Sequence, residues 1–147
     1  MYKFSRKLLI ILLFILQQLL LQANIKLAIG EPETVPAGQY AKETLSYFKL
    51  WDKLKGKLVY TKDVKQAAAY VEKGEAAGIV YNSDCTALKQ SLVVQIFEEA
   101  SHKPIVYPAA VTASSKYKAE AKAFIAYLSS DYAKEVFKKY GFDVYEK

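Results

Sequence analysis

The side chains of this chain that could act in catalysis are few and are not grouped. The single histidine, His102, stands in the polar turn Ser101-His102-Lys103-Pro104, and the single cysteine, Cys85, follows Asn82-Ser83-Asp84. A cysteine nucleophile needs a partner base within hydrogen-bonding distance, and His102 is the only imidazole available. The sequence also contains no Walker A motif, no dinucleotide-binding glycine pattern and no G-x-S-x-G motif. We therefore expect no enzymatic activity.

The composition argues against two classes of binding protein. One Cys, one His and one Met cannot build a zinc or copper site, and the 15 acidic residues show no pairing typical of a divalent-cation site. The net charge of +6 comes from scattered lysines and one arginine, Arg6, whereas proteins that read bases usually rely on arginine. We expect no metal cation, no cofactor and no nucleic-acid partner.

Two predicted helix starts and one tyrosine favour the binding of an anion. The segments Val35-Pro36-Ala37-Gly38 and Thr61-Lys62-Asp63-Val64 each join a predicted strand to a predicted helix. Free N–H groups in a first helical turn, together with the helix dipole, attract anions, and small residues let an anion approach the backbone closely. Tyr81, at the end of an apolar run, adds a phenolic donor. Each feature alone more often serves only folding, but their combination predicts an anion site.

The elements that must position these residues alternate between β-like runs and helical patterns, which is typical of an α/β domain. A chain of 147 residues that is 52% hydrophobic can bury one core. The predicted strands are residues 25–29, 58–60, 77–81, 92–97 and 105–111.

Four helices are predicted from apolar residues at helical spacing. The first helix begins near Ala37, and the second is capped by Thr61 or Asp63. Gly74 is expected to end the second helix and Gly141 the last one. Their expected buried residues are, in chain order, Tyr40, Thr44, Tyr47 and Phe48; Val64, Ala67, Ala68 and Val71; Ala119, Ala123, Phe124 and Tyr127; and Tyr132, Val136, Phe137 and Tyr140.

Residues 1–23 differ in kind from the rest of the chain. A basic start is followed by the unbroken apolar run of residues 8–16, which is the layout of a secretory signal. Ala23 offers a small residue for cleavage, although the bulky Leu21 lies two positions before it. We expect export to the periplasm or another extracytoplasmic space. An uncleaved membrane tether through residues 1–23 and an ordinary hydrophobic core helix are the alternatives.

From about Leu19 to Lys147 the chain resembles the periplasmic molybdate-binding proteins, the solute receptors of molybdate ABC importers. The stretches that carry the resemblance are LAIGEPETVPAG (27–38), WDKLKGKL (51–58), DVKQA (63–67), GIVYNSD (78–84), SHKPIVYP (101–108) and FKKYGF (137–142). Cys85 stands where these relatives usually carry a small residue such as Ala.

The resemblance implies a type II periplasmic-binding-protein-like α/β fold, in which two lobes close on a tetrahedral oxyanion, molybdate or tungstate. It also implies neutral donors for that anion. Carried over position by position, these are the backbone N–H groups of Ala37 and Val64 and the hydroxyl of Tyr81. The permease of a molybdate ABC importer is the implied partner.

The resemblance covers the second lobe and the C-terminal return, and the first lobe with its serine-bearing segments has no counterpart. We therefore expect residues 24–147 to form a truncated solute-binding-protein-like domain with an incomplete first lobe. Losing part of the oxyanion shell would weaken binding, because each charge-assisted hydrogen bond contributes about 1.5 to 3 kcal/mol. The alternative is an exported or membrane-tethered remnant that binds no solute and serves as an interaction module.

Overall fold

The computed structural model describes residues 25–144 and places a short parallel sheet at the centre of the molecule. Strand β1 (Leu27–Gly30) is buried at every position and lies between β2 (Leu58–Thr61) and β3 (Ala77–Gly78). Both neighbours run parallel to β1. The first two predicted strands are confirmed, and only the first two residues of the predicted strand 77–81 join the sheet.

Six α-helices lie between or after these strands in the described part of the chain. They are α1 (Pro36–Tyr47), α2 (Trp51–Leu54), α3 (Val64–Glu72), α4 (Asn82–Cys85), α5 (Lys118–Tyr127) and α6 (Asp131–Lys139), with 3-10 turns at Lys55–Lys57 and Glu99–Ser101. The two glycines predicted to end helices do so in the left-handed region, with φ of +71° at Gly74 and +80° at Gly141. Glycine adopts this conformation without steric cost.

The two faces of β1 differ in side-chain size. Leu27 and Ile29 belong to the main apolar cluster with residues of α1 and α2, including Leu45 and Leu54. Side chains alternate along a strand, so Ala28 lies on the other face, beside its register partner Gly78. A Cβ at Gly78 would lie 2.5 Å from the Val71 side chain of α3. Small residues on this face therefore allow α3 to pack close to the sheet.

The strand order β2-β1-β3 places the helices on both faces of the sheet. The chain passes from β1 through α1 to β2, and then returns across β1 through α3 to β3. Parallel crossovers are right-handed, so two crossovers in opposite directions bring α1 and α3 to opposite faces. The packing agrees with this, because α1 covers Leu27 and Ile29 whereas α3 covers Gly78.

The buried face of α1 differs from the predicted one. Thr44 is buried as expected, but Tyr47 is 52% exposed and Tyr40 and Phe48 are only half-buried. The residues that contact the sheet follow the spacing of Ala37, Ala41 and Leu45. Phe48 packs against the core cluster, so the prediction fails at Tyr47, where it followed side-chain size rather than the face that fits the sheet. The expected burial of four aromatic residues in or next to the last two helices is also wrong, because more than half of each side chain is exposed: Phe124, Tyr127, Tyr132 and Tyr140.

The predicted strands at residues 92–97 and 105–111 are also wrong. Both segments have irregular structure, and no backbone hydrogen bond within residues 25–144 joins either of them to a neighbour. Leu92 is 88% exposed and Ile96 is 72% exposed. A strand requires a partner for its backbone N–H and C=O groups, and an apolar composition alone does not supply one.

The turn between these two segments is held to α1 by side chains. Thr44 Oγ1 lies 3.3 Å from Ser101 Oγ, and both side chains are buried. Glu43 Oε2 accepts a hydrogen bond of 2.8 Å from the backbone N–H of Lys103, which lowers the pKa of that carboxyl. Glu72 of α3 likewise accepts from the backbone N–H groups of Lys89 and Gln90. These contacts fix the loop ends to the helices that flank the sheet.

The expected signal segment, residues 1–23, lies outside the described residues. Within residues 25–144, no helix has the length and apolarity needed to cross a membrane. The expected signal peptide or tether at residues 1–23 stays a prediction, as does the single domain at residues 24–147.

The contact between Gly38 and Gly30 yields a stability prediction. A Cβ at Gly38 would overlap the carbonyl group of Gly30, so α1 would have to move away from the end of β1. We expect Gly38→Ala to lower the free energy of unfolding by about 3 kcal/mol or more, measured by urea denaturation followed by circular dichroism.

Gly56→Ala is the matched control, because a Cβ at Gly56 meets no atom within 4 Å. This substitution should leave stability unchanged or raise it by up to about 1 kcal/mol. Equal effects of the two substitutions would contradict the proposed close packing of α1 on β1.

Candidate functional site

The candidate site lies where the carboxyl ends of three parallel strands meet. In the register of the sheet Gly30, the last residue of β1, stands beside Thr61, the last residue of β2. Helices α1 and α3 begin shortly after these residues and pack on opposite faces of the sheet. A crevice forms at the carboxyl edge of a sheet where neighbouring strands lead into helices on opposite faces, and ligands bind in such crevices.

Helix α1 begins with a free backbone donor. Pro36 at its first position has no N–H, and the N–H groups of Gly38 and Gln39 donate to the Val35 carbonyl at 2.9 and 3.1 Å. The N–H of Ala37 has no acceptor among residues 25–144. The contact of Gly38 with Gly30 holds this turn directly above the end of β1. Ala37 is therefore a donor at a position fixed by the core.

Helix α3 also begins with a free donor, beside a well-capped first turn. Asp63 Oδ1 accepts a hydrogen bond of 2.7 Å from the Gln66 N–H, as the sequence predicts for this cap. Gln66 Oε1 in turn accepts one of 3.0 Å from the Lys62 N–H, and Thr61 Oγ1 donates to the Ile29 carbonyl at 3.1 Å. No described residue accepts the Val64 N–H. The caps thus fix the turn without using its first N–H.

Tyr81 follows β3 and stands at the N-cap of α4. Its ring contacts that of Tyr40 in an edge-on arrangement, with 6.5 Å between the centroids. Burial raises the pKa of the Tyr81 phenol to about 12, and Tyr107, Tyr40 and Asp84 act in the same direction. The phenol is therefore a neutral hydrogen-bond donor at every pH at which the protein would work.

The structure brings two of the three predicted site residues to one cavity. Ala37 and Tyr81 both line a cavity of about 610 Å³. Val64 is not on its wall; it begins α3, three positions after Thr61, which stands beside Gly30 in the register of β1 with β2. The opposite wall is formed by the exposed segments at residues 92–97 and 104–106. The cavity is much larger than a tetrahedral oxyanion.

Tyr40 and His102 also line this cavity, and the sequence analysis did not identify Tyr40 as a site residue. Their rings lie 5.9 Å apart. Tyr40 comes three positions after Ala37 on α1, a spacing that places two residues on the same side of a helix. This spacing was the signal in the sequence that could have indicated Tyr40.

The arrangement of Cys85 does not suit nucleophilic chemistry. Cys85 and His102 line the same cavity, but burial raises the pKa of the Cys85 thiol. A catalytic thiol requires a lowered pKa, because the thiolate is the nucleophile. In the described part of the chain no three His, Cys, Asp or Glu residues are grouped so as to hold a metal ion.

Asp84 is a half-buried acid three positions after Tyr81 in the chain. Its carboxylate accepts the Tyr81 backbone N–H, while its Oδ2 is buried without a partner among residues 25–144. Burial raises the pKa of this carboxyl, and the hydrogen bond from Tyr81 and the charge of Lys65 oppose that shift. Asp84 thus caps the first turn of α4, although burial makes the charged form of its carboxyl less favourable.

Comparison with known proteins identifies relatives of similar sequence. A Bacillus subtilis protein whose name describes an ABC transporter substrate-binding lipoprotein is 49% identical over 118 residues, which are 80% of this chain and 45% of that protein. The molybdate-binding protein of Escherichia coli is 49% identical over 120 residues, or 81% of this chain and 46% of that protein. The chain therefore spans about half the length of the curated relatives it matches.

Solved structures share the fold. The substrate-binding domain named for a molybdenum ABC transporter of Clostridium difficile aligns with a TM-score of 0.78 at 41% identity, over 88% of this chain and 57% of that one. The periplasmic molybdate-binding protein of Azotobacter vinelandii aligns with a TM-score of 0.70 at 26% identity, over 86% and 58% of the two chains. The expected type II periplasmic-binding-protein-like α/β fold, represented in part, is confirmed.

A known family pattern matches almost the whole described region. Residues 16–143 match the pattern of the bacterial extracellular solute-binding proteins. This span includes both helix starts, Tyr81 and the C-terminal helices. The chain belongs to the bacterial extracellular solute-binding protein family.

Proposed function

We propose that this chain binds molybdate at the carboxyl edge of its sheet, as the solute-binding component of an ABC importer. The observation that carries the proposal is the presence of unpaired neutral donors after three adjacent parallel strands. These donors are the N–H groups of Ala37 and Val64 and the hydroxyl of Tyr81. The names of relatives that are almost half identical to this chain support molybdate as the solute.

The donor set suits an anion that has no proton of its own. Molybdate at neutral pH is a dianion with four oxygen acceptors, and all three proposed groups are donors. Helices α1 and α3 both direct their positive dipole ends towards the crevice, and this field needs no cationic side chain. Tungstate has the same charge and shape, so we propose that the site accepts it as well.

The proposed donors differ in how firmly they are held. Ala37 and Val64 belong to helices packed against a fully buried strand, whereas Tyr81 lies beyond the last residue of β3. Three donors do not satisfy all the lone pairs of four oxygens, so the remaining oxygens would face water or other donors. We infer moderate affinity for the isolated chain, since each missing charge-assisted hydrogen bond weakens binding by at least tenfold.

We further propose that the chain acts outside the cytoplasm with the permease of an importer. The apolar run at residues 8–16 after a basic start supports export, and the lipoprotein named among the relatives supports an extracytoplasmic site of action. Residues 1–23 would then serve as the signal or the tether.

One observation favours a second candidate function, that of an interaction module without solute binding. Leu92, Val94 and Ile96 form an exposed apolar segment that makes no backbone-to-backbone hydrogen bond among residues 25–144. Exposed apolar surface of this kind is typical of protein contacts.

Isothermal titration of molybdate into the full chain distinguishes the two candidates. We expect saturable heat with molybdate and tungstate and much weaker heat with sulfate, which has the same charge but is smaller. Circular dichroism of the same sample establishes that the protein is folded. A folded chain that takes up neither molybdate nor tungstate would favour the interaction module.

Val64→Pro tests the backbone donor of α3. Proline has no N–H but suits the first position of a helix, and the preceding residue Asp63 is already extended, with φ −158° and ψ 168°. We expect molybdate affinity to fall about tenfold to a hundredfold with little change in thermal stability. Val64→Ala keeps the N–H and is the control. If both variants bind as tightly as the parent, Val64 is not a ligand-binding residue.

Tyr81→Phe tests the phenolic donor. The ring is kept and only the hydroxyl is lost, so affinity should fall by about tenfold or more while the fold is retained. Tyr117→Phe, at an exposed tyrosine off the cavity wall, should bind normally.

The pH dependence provides a further check on Tyr81. Because its pKa is raised to about 12, the donating form is fully present below the ordinary value of about 10 and is lost only as pH rises through about 12. The affinity ratio between the parent and Tyr81→Phe should therefore be the same at about pH 7 and about pH 9. A ratio that falls by about pH 9 would contradict the raised pKa, because it would show that the Tyr81 hydroxyl has already begun to lose its proton.

A further inference from the structure

We propose that the C-terminal end of α6 positions Tyr81, through a reciprocal contact between Gly141 and Asn82 that is here called the Gly141–Asn82 clamp. The inference rests on the proposed function, since Tyr81 is one of the three proposed donors of the solute site. It adds Asn82 and Gly141, which lie 59 positions apart in the sequence and are not among the proposed donors.

The sheet does not hold Tyr81 in place. The last pair of the β1–β3 ladder is Ala28 with Gly78, and the last backbone bond to β1 is the one of 3.1 Å from the Ile79 N–H to the Ala28 carbonyl. Val80 and Tyr81 therefore lie beyond the sheet. Tyr81 begins the single turn of α4, where its carbonyl accepts from the Asp84 N–H at 3.0 Å. A single helical turn is not stable by itself, so it requires an external contact.

Gly141 supplies the first half of that contact. Its φ of +80° lies in the left-handed region, and a Cβ there would lie 2.8 Å from the Asn82 carbonyl oxygen and 3.0 Å from the Ser83 nitrogen. Only glycine allows both this conformation and this close approach. The backbone of Gly141 therefore packs directly on the peptide group between Asn82 and Ser83, one peptide beyond Tyr81.

Asn82 supplies the second half. Its side-chain Nδ2 donates a hydrogen bond of 3.0 Å to the carbonyl oxygen of Gly141, across 59 positions of sequence. The residue next to Tyr81 is thus both packed against Gly141 and hydrogen-bonded to it. The two contacts together restrict how the 81–83 backbone can rotate.

The turn that follows α6 and makes the contact has hydrogen bonds of its own. The Phe142 N–H donates to the Phe137 carbonyl at 3.0 Å, and the Gly141 N–H donates to the Lys138 carbonyl at 3.1 Å. These bonds are those of a Schellman motif. The Phe142 ring packs against Phe137 at 6.4 Å and against Tyr107 at 5.8 Å. The Gly141 side of the clamp is therefore held by two backbone hydrogen bonds and by ring contacts.

The experiment compares three variants of the full chain. Gly141→Ala and Asn82→Ala each remove one half of the clamp. Gly74→Ala is the matched control, because Gly74 also ends a helix with φ +71°, but a Cβ there meets no atom within 4 Å. Gly74→Ala and Gly141→Ala share the cost of left-handed backbone, so only the contact with Asn82 separates them.

The first measurement does not depend on any solute. Tyrosines are labelled with 3-fluorotyrosine, and the ¹⁹F resonance of Tyr81 is assigned by its loss in Tyr81→Phe. We expect this resonance to shift or broaden in Gly141→Ala and Asn82→Ala and to stay unchanged in Gly74→Ala. An unchanged Tyr81 resonance in a folded Asn82→Ala or Gly141→Ala variant would overturn the proposal, and if Gly141→Ala fails to fold, Asn82→Ala alone decides.

The second measurement is molybdate affinity by isothermal titration. Asn82→Ala should weaken binding about threefold to tenfold, as expected for one lost neutral hydrogen bond. When Tyr81→Phe is already present, adding Asn82→Ala should cause no further loss of molybdate affinity, because the clamp acts through the Tyr81 hydroxyl. A loss of equal size in both backgrounds would overturn this role. If the parent binds no molybdate while the Tyr81 resonance still responds, the proposed function fails and the positioning of Tyr81 stands.

Discussion

The burial of one four-residue strand is the constraint on which the rest of this structure depends. Strand β1 has a helix on each face, so its larger side chains contact α1 while Ala28 and Gly78 leave room for α3. Both helices must then begin at the same edge of the sheet, since both connect parallel strands. The direct contact of Gly38 with Gly30 leaves little freedom in how far α1 stands from that edge. Two helix N-termini at one edge are therefore a consequence of packing.

Donors held in this way need no positive side chain to favour an anion. An unpaired N–H in a first helical turn is already oriented, so binding does not have to order a flexible lysine or arginine. The capping bonds of Asp63 and Gln66 use the neighbouring groups and leave the Val64 N–H free. Tyr81 is kept neutral by its raised pKa, so it adds a donor without adding a charge. The proposed site would thus favour an oxyanion without arginine, which is absent from the described residues.

Much of the sheet and of the helix boundaries could be predicted because their signals are local. The cap at Asp63 and the stops at Gly74 and Gly141 reflect the chemistry of single residues, and the structure confirms them. The segments at 92–97 and 105–111 were predicted wrongly, because an apolar run shows that burial is favoured but does not show which partner provides it. The prediction for Tyr47 failed for a related reason, since side-chain size alone does not show which helix face fits against a flat sheet. The assignment of Ala37, Val64 and Tyr81 came from family resemblance together with helix starts, and it remains a proposal.

The three proposed donors differ in how they depend on the folding of the chain. Ala37 and Val64 are set by contacts with β1 and by caps within a few residues, so they become ordered together with the central sheet. Tyr81 depends on a turn of four residues and on a contact formed across 59 positions of sequence. Local stability follows such contacts, and elements with few of them open more readily than the core. In the proposed site the two backbone donors are therefore the fixed part, and Tyr81 is the part whose position we expect to respond to the C-terminal helix.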